Sequence, residues 1–66
     1  MSVLKVIEVL SSSPTSWEDA TQKAVSKASK SVKHIRSVYV QEQSACVTDG
    51  VVTEYRVNLK LTFEIE

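Results

Sequence analysis

Asp49-Gly50, set between two runs of alternating apolar and polar residues, constrains this chain more than any other feature. A two-residue turn with left-handed backbone at both positions suits Asp-Gly and joins adjacent antiparallel strands without splaying them. The run after the turn alternates almost without error. Val51, Thr53, Tyr55, Val57, Leu59, Leu61, Phe63 and Ile65 fall on one side; Val52, Glu54, Arg56, Asn58, Lys60, Thr62 and Glu64 fall on the other. It reads as one strand from Val51 to Ile65, roughly 50 Å long at ~3.3 Å per residue.

The turn also predicts a register. With Thr48 opposite Val51, Val40 faces Leu59 and Val38 faces Leu61, so the apolar residues of both strands meet on one side. On the other side Ser37, Tyr39, Gln41 and Gln43 face Thr62, Lys60, Asn58 and Arg56, a flat set of donors and acceptors. Cys46 is expected opposite Thr53 as a small, half-buried apolar group.

Upstream, Val3 to Leu10 (VLKVIEVL) is aliphatic with only Lys5 and Glu8 interrupting, which predicts a first strand covered on both faces. Ser11-Ser12-Ser13-Pro14 is expected to end it. Thr15 or Ser16, followed three residues later by Glu18 or Asp19, reads as a helix N-cap. From Ser16 to about Val32 the positions Trp17, Ala20, Ala24, Val25, Ala28 and Val32 form one apolar helical stripe. Glu18 and Asp19 in the first turn and Lys23, Lys27, Lys30 and Lys33 toward the end follow the order the helix dipole favours. The lysines read as a solvated face, and Trp17, in phase with the alanines, as core.

The fold class expected is therefore α+β: a β-α-β-β chain with a three-stranded antiparallel sheet packed on one helix, residues 1–66 forming a single domain. A chain of 66 residues buries so little surface that disulfides, metal or partner subunits often complete its stability. One cysteine, Cys46, and one histidine, His34, supply neither an intrachain bridge nor a zinc ligand set. The long hairpin outruns its helix, and Tyr55, Val57, Ala45 and Val47 are expected on the overhang, so copies of the chain are the expected cover. Closed symmetry satisfies every copy at once.

Composition narrows the function. Eight basic and eight acidic side chains cancel, which argues against nucleic acid as the main partner. No apolar run approaches the roughly 20 residues that span a bilayer, and no signal segment is evident, so a cytoplasmic protein with no membrane partner is expected. Catalytic machinery is absent. A single glycine allows no phosphate loop, no serine sits in an activating motif, and His34 reads as a helix-end residue beside Lys33 and Arg36. The chain is not expected to be an enzyme.

The element order, KVIEVL near the start, SPTSWEDA at the helix start, the alanine-rich helix and the DG hairpin leading to EYRVNLKLTFEIE together resemble the dodecins. The resemblance covers essentially the whole chain and implies a hollow homododecamer, helices outside and sheets inward, that binds or stores a small flavin-type ligand without catalysis. It implies a stacking tryptophan at the position of Ser37 and a hydrogen-bonding glutamine at that of Arg56. Serine offers no π face and arginine offers only donors, so the flavin site reads as degenerate. The ligands this brings in are FMN or riboflavin, weakly bound, with Tyr39, Gln41, Gln43, Asn58 and Lys60 as further ligand-face residues.

The chain is most similar to the dodecin subgroup without that tryptophan, the calcium dodecins, some of which bear the name of a second SecE-like subunit. A translocase role is not expected, because SecE function requires a membrane helix. The subgroup implies, as the alternative, cation binding or a purely structural shell. Calcium needs several oxygen ligands, and Glu8, Glu42 and Glu54 are the candidates if symmetry brings copies together. Arg56 and Lys60 suggest an anion site, but Glu54 and Glu64 alternate with them on one face, so internal ion pairing is the favoured outcome.

Overall fold

The computed structural model describes residues 3–65. Strand β1 (Val3–Ser13), helix α1 (Trp17–Ala28), strand β2 (Ile35–Thr48) and strand β3 (Val51–Ile65) follow in that order. All pairing is antiparallel, and the sheet order β1-β3-β2 puts the longest strand in the centre. The turn is as expected: Asp49 and Gly50 have φ of 51° and 75°, the left-handed pair that a tight hairpin turn needs.

One face of the sheet carries the core. Val57, Leu59 and Leu61 of β3 are fully buried or nearly so, and Ala20 and Ala24 of α1 press on Val57 and Leu59, with Val9, Trp17 and Val38 packed around them. Two alanines at the contact let the helix axis lie close to the sheet. Val57 was expected on the overhang; it lies instead under the helix, at 0% exposure.

The helix starts where its cap dictates. Ser16 is extended at φ −170°, and its hydroxyl accepts from the amide of Asp19 at 3.0 Å. The Asp19 carboxylate in turn accepts from Ser13 Oγ at 2.6 Å and pairs with Lys23 at 3.1 Å. Ser13, completely buried, also accepts from the amide of Thr15 at 3.0 Å, so the three residues lock the corner between β1 and α1. The hydrogen bond from Ser13, then that from Lys23, holds the Asp19 carboxyl below its ordinary 3.8.

Two boundaries differ from the sequence reading. β1 continues through Ser11, Ser12 and Ser13, because Val57, Arg56 and Tyr55 of β3 supply its ladder, and ends only at Pro14. The helix stops at Ala28 rather than near Val32. There the Val25 carbonyl accepts from both the amide and the hydroxyl of Ser29, at 2.9 and 2.7 Å. A tighter turn follows, and His34 takes a left-handed φ of 64° to aim the chain into β2. Its carbonyl accepts from the Glu64 amide at 3.0 Å, so the histidine marks a backbone corner.

The ladder between β2 and β3 skips three times. Arg36 and Gln41 are extra residues in β2, and Thr53 is an extra residue in β3. Val38 opposite Leu61, Val40 opposite Leu59 and Thr48 opposite Val51 survive as expected, since the skips at Thr53 and Gln41 cancel. Between those two, the β2 strand is shifted by one residue and every side chain from Glu42 to Cys46 changes face.

Candidate functional site

That shift decides which residues share the face turned away from α1. In the expected register Glu42 would project toward the helix side, in line with Val38 and Val40. The skip at Gln41 turns it to the open face opposite Asn58, sparing a carboxylate from apolar surroundings. Gln43 and Ala45 take the helix side instead, opposite Val57 and Tyr55. Arg56 is flanked by Ser44 and Ser12, not by Gln43, and Cys46 lies opposite Glu54, not Thr53. The break in the apolar alternation at Glu42 was the signal in the sequence.

The face thus reads in rows across β1, β3 and β2: Val6, Thr62, Ser37; Glu8, Lys60, Tyr39; Leu10, Asn58, Glu42; Ser12, Arg56, Ser44. It was expected to be polar, with β1 covered on both sides. Its β1 edge is in fact aliphatic, with Leu4, Val6 and Leu10 more than half exposed in the single chain. Leu10, Ser12 and Ser44 had not been expected in the site. Leu10, Ser11 and Ser12 line a small cleft of about 130 Å³ with Arg56.

Ser37 and Arg56 share the face but not a neighbourhood. Ser37 pairs with Thr62, six residues along β3 from Arg56, a separation of roughly 20 Å at ~3.3 Å per residue. Gln41 occupies the bulge. Glu8, Glu42 and Glu54 stand in three different rows, and no group of three metal-binding side chains occurs among the described residues. Glu64 pairs with Arg36 at 2.9 Å, while Arg56 and Lys60 form no ion pair among the described residues. Internal pairing of the basic side chains, the favoured expectation, is not what one chain shows.

The other end of the sheet is built differently. β1 runs out at Ser13 opposite Tyr55, so residues 46–54 form a two-stranded ribbon with no third strand and no helix. Trp17 ties its root down: the indole Nε1 donates to the Ser44 carbonyl at 2.9 Å, and the ring meets Tyr55 edge-on at 4.9 Å. Beyond it Val47, Val51 and Val52 are 63%, 61% and 47% exposed.

The sequence model of the dodecin family matches residues 3–66. The chain belongs to the dodecin family. It is 43% identical over 65 residues to the calcium dodecin of Mycobacterium tuberculosis, covering 98% of this chain and 92% of that protein. The crystal structure of that calcium-chelating antigen, described with a novel calcium-binding site, superposes with a TM-score of 0.83 at 42% identity, covering 97% of this chain and 91% of that one. The dodecin of Streptomyces coelicolor superposes with a TM-score of 0.93 at 31% identity, covering 98% and 93%. Dodecins are binding proteins rather than enzymes, and the β-α-β-β subunit with its antiparallel three-stranded sheet is the dodecin fold. No helix among the described residues is long and apolar enough to cross a membrane.

Proposed function

We propose that residues 1–66 form a single-domain, non-catalytic dodecin subunit that assembles in the cytoplasm into a closed homododecameric shell and holds a small ligand on its open sheet face. One observation carries the assembly: the two-stranded ribbon at residues 46–54, with three exposed valines and, among the described residues, no third strand or helix over it. Such a ribbon is marginally stable in water by itself, so another chain is its natural cover. Light scattering tests this: the expected native mass is about twelve times the 7.3 kDa of one chain. A stable monomer would overturn the proposal.

For the ligand, the flavin-type reading is a weak one. Ser37 and Arg56, too far apart to meet one ring system within a chain, come together on a ligand only through different copies. Without an aromatic at position 37 the stacking is lost, about 1–3 kcal/mol by analogy with base stacking. The second reading, calcium, is favoured by the name and title of the Mycobacterium tuberculosis relative. Glu8, Glu42 and Glu54 are oxygen donors on this face that only neighbouring copies bring within one coordination sphere. Visible absorbance of protein purified from its own host, together with elemental analysis, separates the two. Flavin absorbance supports the first reading and stoichiometric calcium the second.

A further inference from the structure

Resting on that reading of a closed shell, the structure also says which surface covers the ribbon. Helix α1 and the free edge of β1 enclose an open groove of about 980 Å³, floored by Val9, Ala24 and Ala28 and rimmed by Lys27 and Lys30. We infer that the groove receives the hairpin tip, residues 46–54, of a second copy. The chain's own tip cannot fill it, since β2 and β3 carry the tip beyond the end of β1, and β2 lies on the opposite edge of the sheet.

Three observations match the two surfaces. Both carry apolar side chains: Val47 and Val52, paired on one face of the tip, and Val9, Ala24 and Ala28 in the groove. Their charges are opposite. From Gln41 to Tyr55 the chain carries Glu42, Asp49 and Glu54 and no basic residue. The groove is bordered by Lys23, Lys27 and Lys30; Asp19 already pairs with Lys23, whereas Lys27, Lys30, Asp49 and Glu54 form no ion pair among the described residues. Finally, both are incomplete alone, a ribbon without a cover and a groove at an unpaired strand edge. Because tip and groove are different patches, the contact is head-to-tail, and such contacts close into rings when the rotation allows.

The test is zero-length carbodiimide cross-linking of an assembly refolded from equal amounts of unlabelled and ¹⁵N-labelled chain. The Asp19–Lys23 pair at 3.1 Å provides a same-isotope link in every sample. Expected in addition are Lys27 or Lys30 joined to Asp49 or Glu54 in peptides of mixed isotope content. A dodecamer with the control link but no mixed link at these residues overturns the contact and leaves the shell standing; a monomer overturns the shell itself. The charge swap is a second reading. Lys27→Glu with Lys30→Glu, or Asp49→Asn with Glu54→Lys, should each lower assembly affinity at least tenfold, and the four changes together should restore most of it. Asparagine is used at position 49 because it tolerates the left-handed backbone there. No restoration contradicts the contact. So does saturable binding of an apolar dye to the intact assembly that Ala28→Phe abolishes, because the groove would then be a small-molecule site.

Discussion

Strands β2 and β3 run through both the stretch of sheet beneath the helix and the ribbon beyond it, yet the two regions end up in opposite conditions. Val57, Leu59 and Leu61 are buried within the chain, whereas Val47 and Val52, on the same side farther along, stand exposed. Alternation decides which side of a strand is apolar; it does not decide what covers that side. A helix of 12 residues spans only about 18 Å at 1.5 Å per residue, in a molecule 50 Å long. Part of the apolar face is therefore core, and part is left uncovered within the chain.

The sharpest way to break this comparison is to damage both regions equally. Leu59→Ala is expected to destabilise the subunit by about 2–5 kcal/mol, read from urea unfolding, because it opens a cavity against Ala20 and Ala24. Val52→Asp should leave the helical circular dichroism intact and dissolve the assembly. If Val52→Asp unfolds the helix as thoroughly as Leu59→Ala does, the two regions are not distinct.

Next in size is the open face. Ser37→Trp combined with Arg56→Gln should tighten riboflavin binding about ten- to hundredfold per ring contact, measured by fluorescence quenching. Tight riboflavin binding by the unaltered protein contradicts the degenerate-site reading.

Trp17 joins the two regions, so its effect should be smaller and local. Trp17→Phe keeps an aromatic ring near Tyr55 and removes the donor to the Ser44 carbonyl, a cost of about 1 kcal/mol. Hydrogen exchange should quicken around residues 43–47 and stay unchanged at Leu59. Uniform quickening would mean that the indole braces the whole fold.

The smallest effect is confined to the covered end. Asp19 has a folded pKa below its unfolded value, so its contribution is complete above about pH 3.8 and fades as the pH falls through the folded value. Asp19→Asn should flatten the fall of the urea midpoint in that acid range and leave the hairpin's exchange rates untouched. An unchanged acid limb would show that the Ser13–Asp19–Lys23 corner contributes nothing.

Much of this was legible because it is local. The Asp49-Gly50 turn, the span of β3, a helix cap at Thr15 or Ser16, and the placement of Trp17, Ala20 and Ala24 against the sheet all follow from residue type and spacing. So does the sharing of one face by Ser37, Tyr39, Arg56, Asn58 and Lys60. Other features were not legible. The serines of β1 form strand because β3 is there to pair with them, and the helix gives way after Ser29 to a tighter turn through Lys30 and Ser31.

What the sequence by itself determined is the order of elements, the turn and the apolar side of β3 from Tyr55 to Phe63, since each depends on residues within a few positions of one another. What only the tertiary structure decided is where the ladder skips. Arg36, Gln41 and Thr53 are ordinary strand residues with no glycine among them. A bulge answers the twist of a long ribbon curling over a short helix, a demand made by distant parts of the chain. Once Gln41 and Thr53 are extra, Glu42, Ser44 and Cys46 turn to the open face while Gln43 and Ala45 leave it. The composition of the open face is thus settled by coiling of the sheet and not by any motif within it.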